Sequence, residues 1–361
     1  MHIAVCLGYG ANQMGIKKLL PKRFDVDVQR PSVLLFGNGM VRCFSSNPDW
    51  TRVIEELAVT GLGSGKTGSF PYSIRATVTT DPDDETRRTD YINYFENVYQ
   101  YHPNPLISDL VGIPFDAFLT TNYTYELEYA LMEDYPGLKT KQNYAHSVDF
   151  IPEFFEKDDP DREYNLNSPE AMEETRWMRS FNSIGGKDIW HIHGEIRRRN
   201  SFILTHDEYG RLMGAILKYN KVRGKNNGKI LRETDENGSP RKKEFNFCSW
   251  FDYFIYGDLY ILGQGFDFSE FDLWWLISRR QRTRLFGSGR AVFLQPLAAD
   301  GELTLIEQVL SALGVEIEHC GVRLSGDEEK DKGIYREFYI KATAFLKEMI
   351  KEDSEPIAGG L

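Results

Sequence analysis

The sequence is poor in cysteine. It has four, Cys6, Cys43, Cys248 and Cys320, each isolated and with no C-x-x-C pair among them. That spacing argues against a disulfide framework and against a four-cysteine zinc site. Scattered thiols suit a reducing compartment. Long apolar runs are also missing, and none reaches the length of a membrane span. The apolar stretch at residues 2–7 has no basic region before it and no small-residue cleavage pattern after it, so no signal peptide is expected. Positive charge is in deficit too, with a net charge of −11. An acidic surface disfavours non-specific contact with nucleic acid or anionic lipid. The expectation is a cytoplasmic protein with no membrane contact.

Aromatic residues are plentiful, with 23 Phe, 19 Tyr and 6 Trp, enough to exclude a disordered chain and to fill a sizeable core. Six short apolar runs punctuate the chain. Residues 33–36 end at Gly37-Asn38-Gly39, 117–119 at Thr120-Thr121-Asn122, and 189–192 at His193-Gly194. Residues 259–262 end at Gly263-Gln264-Gly265, 291–294 at Gln295-Pro296, and the last run is 315–319. Short apolar runs bounded by turn residues suit strands buried on both faces. Helical patterns follow at 123–132, 208–218, 272–282, 303–313 and 335–351. Strand alternating with helix predicts an α/β fold: a doubly wound, Rossmann-like, mainly parallel sheet in a single domain with its core at about 32–350. In such sheets ligands bind beyond the carboxyl ends of strands. A helical insertion or lid is expected at about 141–185, an exposed basic loop at 218–243, and a loose tail at 353–361.

The residues that close the runs are the candidate site. Gly37, Asn38 and Gly39 could bring backbone amides close to a phosphate at a helix start, or form a plain turn. Asn122 could hold a ribose hydroxyl or a water, with Thr121 beside it, or simply cap the next helix. His191 and His193 share one face of a strand by alternation, which allows a metal-binding H-x-H pair, a base at His193, or two satisfied polar residues. Gly263 and Gly265 permit close approach to a ligand, and Asp272 could accept from ribose hydroxyls or cap a helix. Two glycine patterns are decoys. Gly8-Tyr9-Gly10 lacks the third glycine of a dinucleotide fingerprint, and the GLGSGKT stretch at 61–67 has Thr60 where a phosphate loop needs its first glycine.

Taken in order, a glycine loop, T-T-N, H-G and a second glycine strand end resemble the sirtuin family in its divergent prokaryotic branch. The resemblance spans roughly residues 32–294, and Phe202-Ile203-Leu204-Thr205 with Asp207-Glu208-Tyr209 resembles a segment of that branch. It implies NAD as substrate, with Gly37, Asn38 and Gly39 at the dinucleotide phosphates and Asn122 beside the nicotinamide ribose. It implies His193 as the catalytic histidine and Gly263 to Gly265 near the adenosine half. The zinc ribbon of deacylating sirtuins is missing, as is the G-I-P-D-F-R-like continuation of their first motif. Both departures point away from protein deacylation. The implied activity is NAD hydrolysis without zinc, in an antiviral defence effector with a partner ATPase or other defence-system protein.

Competing readings are a non-catalytic NAD or ADP-ribose sensor and a metal hydrolase built on His191 and His193. A homo-oligomer is expected from aromatic stretches such as Trp250-Phe251-Asp252-Tyr253-Phe254, read as more than one core needs. Nucleic-acid contact through the 218–243 stretch is the less favoured reading of its charge.

Overall fold

The computed structural model describes residues 30–44, 50–60, 70–98, 104–133, 178, 181–184, 187–196, 201–230, 247, 249–283 and 288–354. Most of the 141–185 insertion, the 61–67 decoy, residues 8–10, the 231–243 part of the basic stretch and the tail beyond 354 lie outside them.

The apolar runs form strands β1 (Ser32–Phe36), β2 (Ala117–Thr120), β4 (Lys187–His191), β5 (Asp258–Leu262), β6 (Ala291–Leu294) and β7 (Glu316–Glu318). A further strand, β3 (Asn182–Ile184), precedes β4. The sheet order is β3-β4-β2-β1-β5-β6-β7. Every neighbouring pair is parallel except β3 with β4. Among the described residues the sheet begins at its centre with β1, builds outward through β2 and β4, then returns to the other side of β1. This is the expected doubly wound, mainly parallel sheet, and its order reverses between β1 and β5.

Strand periodicity explains why the sheet is sealed on both sides. Val33 and Leu35 of β1 and Leu259 and Ile261 of β5 point into one core. Leu34 and Phe36, with Tyr260 and Leu262, point into the other. Helices α7 (His206–Ile230), α8 (Trp250–Tyr256), α9 (Phe271–Thr283) and α10 (Leu305–Ala312) supply the first core. The second is covered by α1 (Gly39–Phe44), α5 (Pro105–Val111), α6 (Glu126–Glu133) and α11 (Glu328–Ser354). A third cluster forms where α2 (Trp50–Glu56), α3 (Tyr72–Thr79) and α4 (Asp84–Val98) gather around Tyr123 and Tyr125, which follow β2, and Phe202 and Leu204, which follow β4.

Three expectations change. Residues 218–230, read as loop, belong to α7. Gly224 and Gly228 each cost a helix only about 1 kcal/mol, and the lysines and arginines around them are good helix formers. The Trp250–Phe254 stretch is core: Trp250, Phe251 and Phe254 are fully buried in α8, so this segment no longer argues for self-association. Asn122 is not a helix cap, because α6 begins only at Glu126. Among the described residues no helix is long and apolar enough to cross a membrane.

Candidate functional site

The ends of β1 and β5 meet at the point where strand order reverses. Gly37 N–H donates to the Leu262 carbonyl at 2.9 Å, and Gly39 N–H donates to the Gly263 carbonyl at 2.8 Å. A Cβ on Gly37 would lie 2.4 Å from the Gly263 oxygen. Gly263 itself turns the chain at φ +73°, a left-handed conformation open to glycine. These glycines therefore let two backbone loops touch. The Gly37 and Gly39 amides that a phosphate cradle would use are already engaged by the last residue of β5 and by Gly263 after it.

Beside this contact lies a cavity of about 360 Å³, within the range of small-molecule sites. Of the residues singled out in the sequence, Asn38, Gly39, Thr121, Asn122, His193, Gly263 and Gly265 line it. Gly37 and Asp272 do not. Gly37 is spent on the loop contact, and Asp272 stands behind His193.

Asn122 follows β2 in a tight path. The Thr120 hydroxyl donates to the Phe36 carbonyl at 3.0 Å and accepts the Asn122 N–H at 3.0 Å. The Asn122 side chain is buried, and its amide nitrogen has no hydrogen-bond partner. An unmade bond on a buried donor costs about 1–3 kcal/mol, so this amide is an unfilled position on the cavity wall.

His193 follows β4. Gly194 turns the chain at φ +89°, and a Cβ there would lie 2.0 Å from the Ser201 carbonyl oxygen, which explains the His-Gly pair. The loop returns so that the Ile203 N–H donates to the His193 carbonyl at 3.0 Å. It is then pinned by Glu208, whose carboxylate accepts the N–H groups of Leu204 and Thr205 at 2.8 and 2.7 Å. His193 Nε2 lies 2.9 Å from Asp272 Oδ2, and the Tyr209 ring meets the imidazole edge-on at 5.4 Å. Burial alone would lower the His193 pKa. The Asp272 carboxylate, with Glu270 adding to it, outweighs that and holds it above its usual value.

Two residues that sequence reasoning passed over complete the wall. The Thr121 hydroxyl donates to Gln264 Oε1 at 2.9 Å, which orients that amide. Gln264 Nε2 then donates to both oxygens of Glu270 at 2.7 Å. Burial raises the Glu270 pKa to about 7, and the field of Asp272 adds to this, while His193 and the Gln264 bond pull it down. Gln264 lies between the two glycines, and Glu270 falls in the short stretch between that turn and α9. Only the sheet order brings them beside Thr121 and His193.

His191 goes elsewhere. Its Nδ1 lies 2.7 Å from the Asn122 carbonyl oxygen and its Nε2 lies 2.7 Å from Glu128 Oε1. Both ring nitrogens are occupied and neither faces the cavity, which overturns the H-x-H metal pair. The strand ends at His191, so the alternation that would align the two rings stops there.

The family model of the SIR2-like domain matches residues 116–233. That stretch carries β2, Asn122, β4, His193 and all of α7. The match supports a sirtuin-like family and an NAD-related function. No curated protein matches the chain.

Proposed function

We propose that this protein is an NAD hydrolase that cleaves the nicotinamide–ribose bond. One observation carries the reading: the partnerless Asn122 amide and the His193 imidazole, 71 positions apart in the chain, line the same cavity at the carboxyl edge of the sheet. The SIR2-like match over this segment supports the choice of NAD as substrate.

Breaking the bond leaves its electron pair on nicotinamide, which departs neutral, while positive charge builds on the ribose as in other oxocarbenium-like reactions. Water then bonds to the anomeric carbon and loses a proton. The products are nicotinamide, ADP-ribose and one proton. A neutral leaving group needs no strong acid. The chain's residues have to place the ribose, orient a water and take its proton. The Asn122 amide donates to a ribose oxygen or the water. His193, with Nε2 turned to Asp272, presents Nδ1 as the base. The carboxylates of Asp272 and Glu270 lie close enough to His193 to raise its pKa, and the same negative field favours a cationic ribose. In keeping with the family resemblance, the biological role would be depletion of NAD in cytoplasmic antiviral defence.

The test is incubation of the purified protein with NAD, alone and with the neighbouring gene product, followed by chromatography. Nicotinamide and ADP-ribose should appear in equal amounts, and His193→Ala and Asn122→Ala should each abolish their release while remaining folded. Wild-type rates in both variants would overturn the assignment. Binding of NAD with no release under either condition would make the protein a sensor instead.

A further inference from the structure

We infer that His191 and Glu128 form a buried positioning relay that sets where Asn122 stands on the cavity wall. The inference rests on the role given to Asn122 above. His191 closes β4 and Glu128 sits in the first turn of α6, so the relay joins the strand that carries His193 to the helix after Asn122.

A backbone carbonyl can only accept, and so can a carboxylate. His191 lies 2.7 Å from one of each. To satisfy both, the ring must donate from both nitrogens and is an imidazolium. Burial opposes that charge, but Glu128 outweighs the burial and pushes the His191 pKa up to about 9.

The surroundings are consistent. Glu128 also accepts from Asn182 Nδ2 at 3.0 Å, and the same amide reaches Glu195 Oε2 at 3.2 Å. Glu126, also on α6, is buried with its pKa raised by that burial, and it takes a hydrogen bond from the Thr124 hydroxyl. The Tyr125 ring stands edge-on to His191 at 5.4 Å. Among the described residues, the groups facing His191 are thus carboxyls from α6 and from the turn after β4, a tyrosine, and a neutral amide from β3. No cation competes for Glu128 among them.

Losing the proton would be felt at Asn122. The nitrogen facing Glu128 keeps its hydrogen, because the carboxylate holds it. Nδ1 is left bare, and two lone pairs then face each other across 2.7 Å. Asn122 must shift, and its side-chain amide shifts with it. Misplacing a positioned group by about 1 Å can cost roughly 10²-fold in rate.

Three substitutions separate positioning from bulk support. In His191→Asn the side-chain nitrogen takes the place of Nδ1 and keeps the bond to the Asn122 carbonyl. In His191→Gln it takes the place of Nε2 and serves only Glu128. In His191→Phe both are lost. NAD affinity by calorimetry and nicotinamide release should fall by roughly 10²-fold in the Phe and Gln variants and recover largely in the Asn variant. Wild type should also lose activity as pH rises through about 9, and the Asn variant should not, because an amide does not titrate.

Histidine 15N spectra of the ligand-free wild type should include an imidazolium that persists above neutral pH and is missing from all three variants. The relay is overturned if folded His191→Phe binds and cleaves NAD as wild type does. It is equally overturned if His191→Asn is no better than His191→Phe, or if the spectra show a neutral His191 at pH 7. Should wild type release no nicotinamide at all, the hydrolase reading fails on its own. The affinities and spectra would still decide the relay.

Discussion

His193 Nε2 lies 2.9 Å from Asp272 Oδ2, and both side chains are almost sealed from solvent. The contact joins the loop after β4 to the first turn of α9, across the point where strand order reverses. A carboxylate can only accept, so Nε2 carries the hydrogen and the Nδ1 lone pair is the one left for chemistry.

That arrangement fixes a pH profile. The His193 pKa is raised, and a base must be unprotonated, so NAD cleavage should fall as pH drops through the raised value. Asp272→Asn removes the anion that holds the proton. The acid limb should move to lower pH, and the plateau should drop by roughly 10²-fold or more as the ring loses its fixed tautomer. Nicotinamide release across pH for wild type and Asp272→Asn measures both. An acid limb that stays in place would mean that another group titrates.

The Asn122 amide is buried without a partner, which makes it a cost to the ligand-free fold. Asn122→Ala should therefore unfold at the same temperature as wild type or a higher one, since the buried donor is worth about 1–3 kcal/mol when left unsatisfied. NAD cleavage should be lost all the same. Thermal unfolding with and without NAD tests the pair of claims. A large drop in Tm for the ligand-free variant would give the amide a structural role.

Much of this geometry could be read before folding. The run at 33–36 is buried on both faces, so continuous hydrophobicity marked it as a central strand, and the same held for 259–262. Because ligands gather at carboxyl edges, Asn122 and His193 could be placed on one rim from strand order alone. Other parts left no local trace. Strand β3 is three residues of mixed polarity, made a strand only by pairing with β4. Helix α4, which is not among the helical patterns read in the sequence, begins with a charged run, Asp84 to Arg88, and is tied down where Arg87 meets the buried Glu208 at 3.3 Å. Asp272 read as a ribose acceptor or a helix cap, because its partner, His193, is 79 residues away. His191 and His193 look equivalent on a strand, and they part only because β4 stops between them.

Glu270 gives a stability prediction with a definite sign. Its folded pKa is raised to about 7 from an ordinary 4.5, so the fold favours the neutral acid. The stability this contributes is full below the unfolded value and is lost as pH rises through the folded one. Glu270→Gln removes the titration. Its Tm should depend less steeply on pH between about 4.5 and 7, and above 7 it should exceed the wild-type Tm. Parallel profiles for the two proteins would show that the carboxyl is not strained in the folded state.

The glycines around the cavity should divide by function. At Gly37 a methyl would sit 2.4 Å from the Gly263 oxygen and 2.7 Å from its carbonyl carbon. Both are backbone atoms that cannot swing away, so the β1 and β5 loops must part. Gly37→Ala should lose about 1–3 kcal/mol of stability, the scale of overpacking, and NAD cleavage with it. At Gly265 a methyl meets nothing within 4 Å and the backbone is not left-handed. Gly265→Ala should then unfold within about 0.5 kcal/mol of wild type. Yet Gly265 lines the cavity, and a methyl there would crowd a dinucleotide passing over the end of β5. Weaker NAD binding by calorimetry, at an unchanged Tm, would mark this glycine as kept for the ligand. Unchanged binding would mean that NAD runs along another wall.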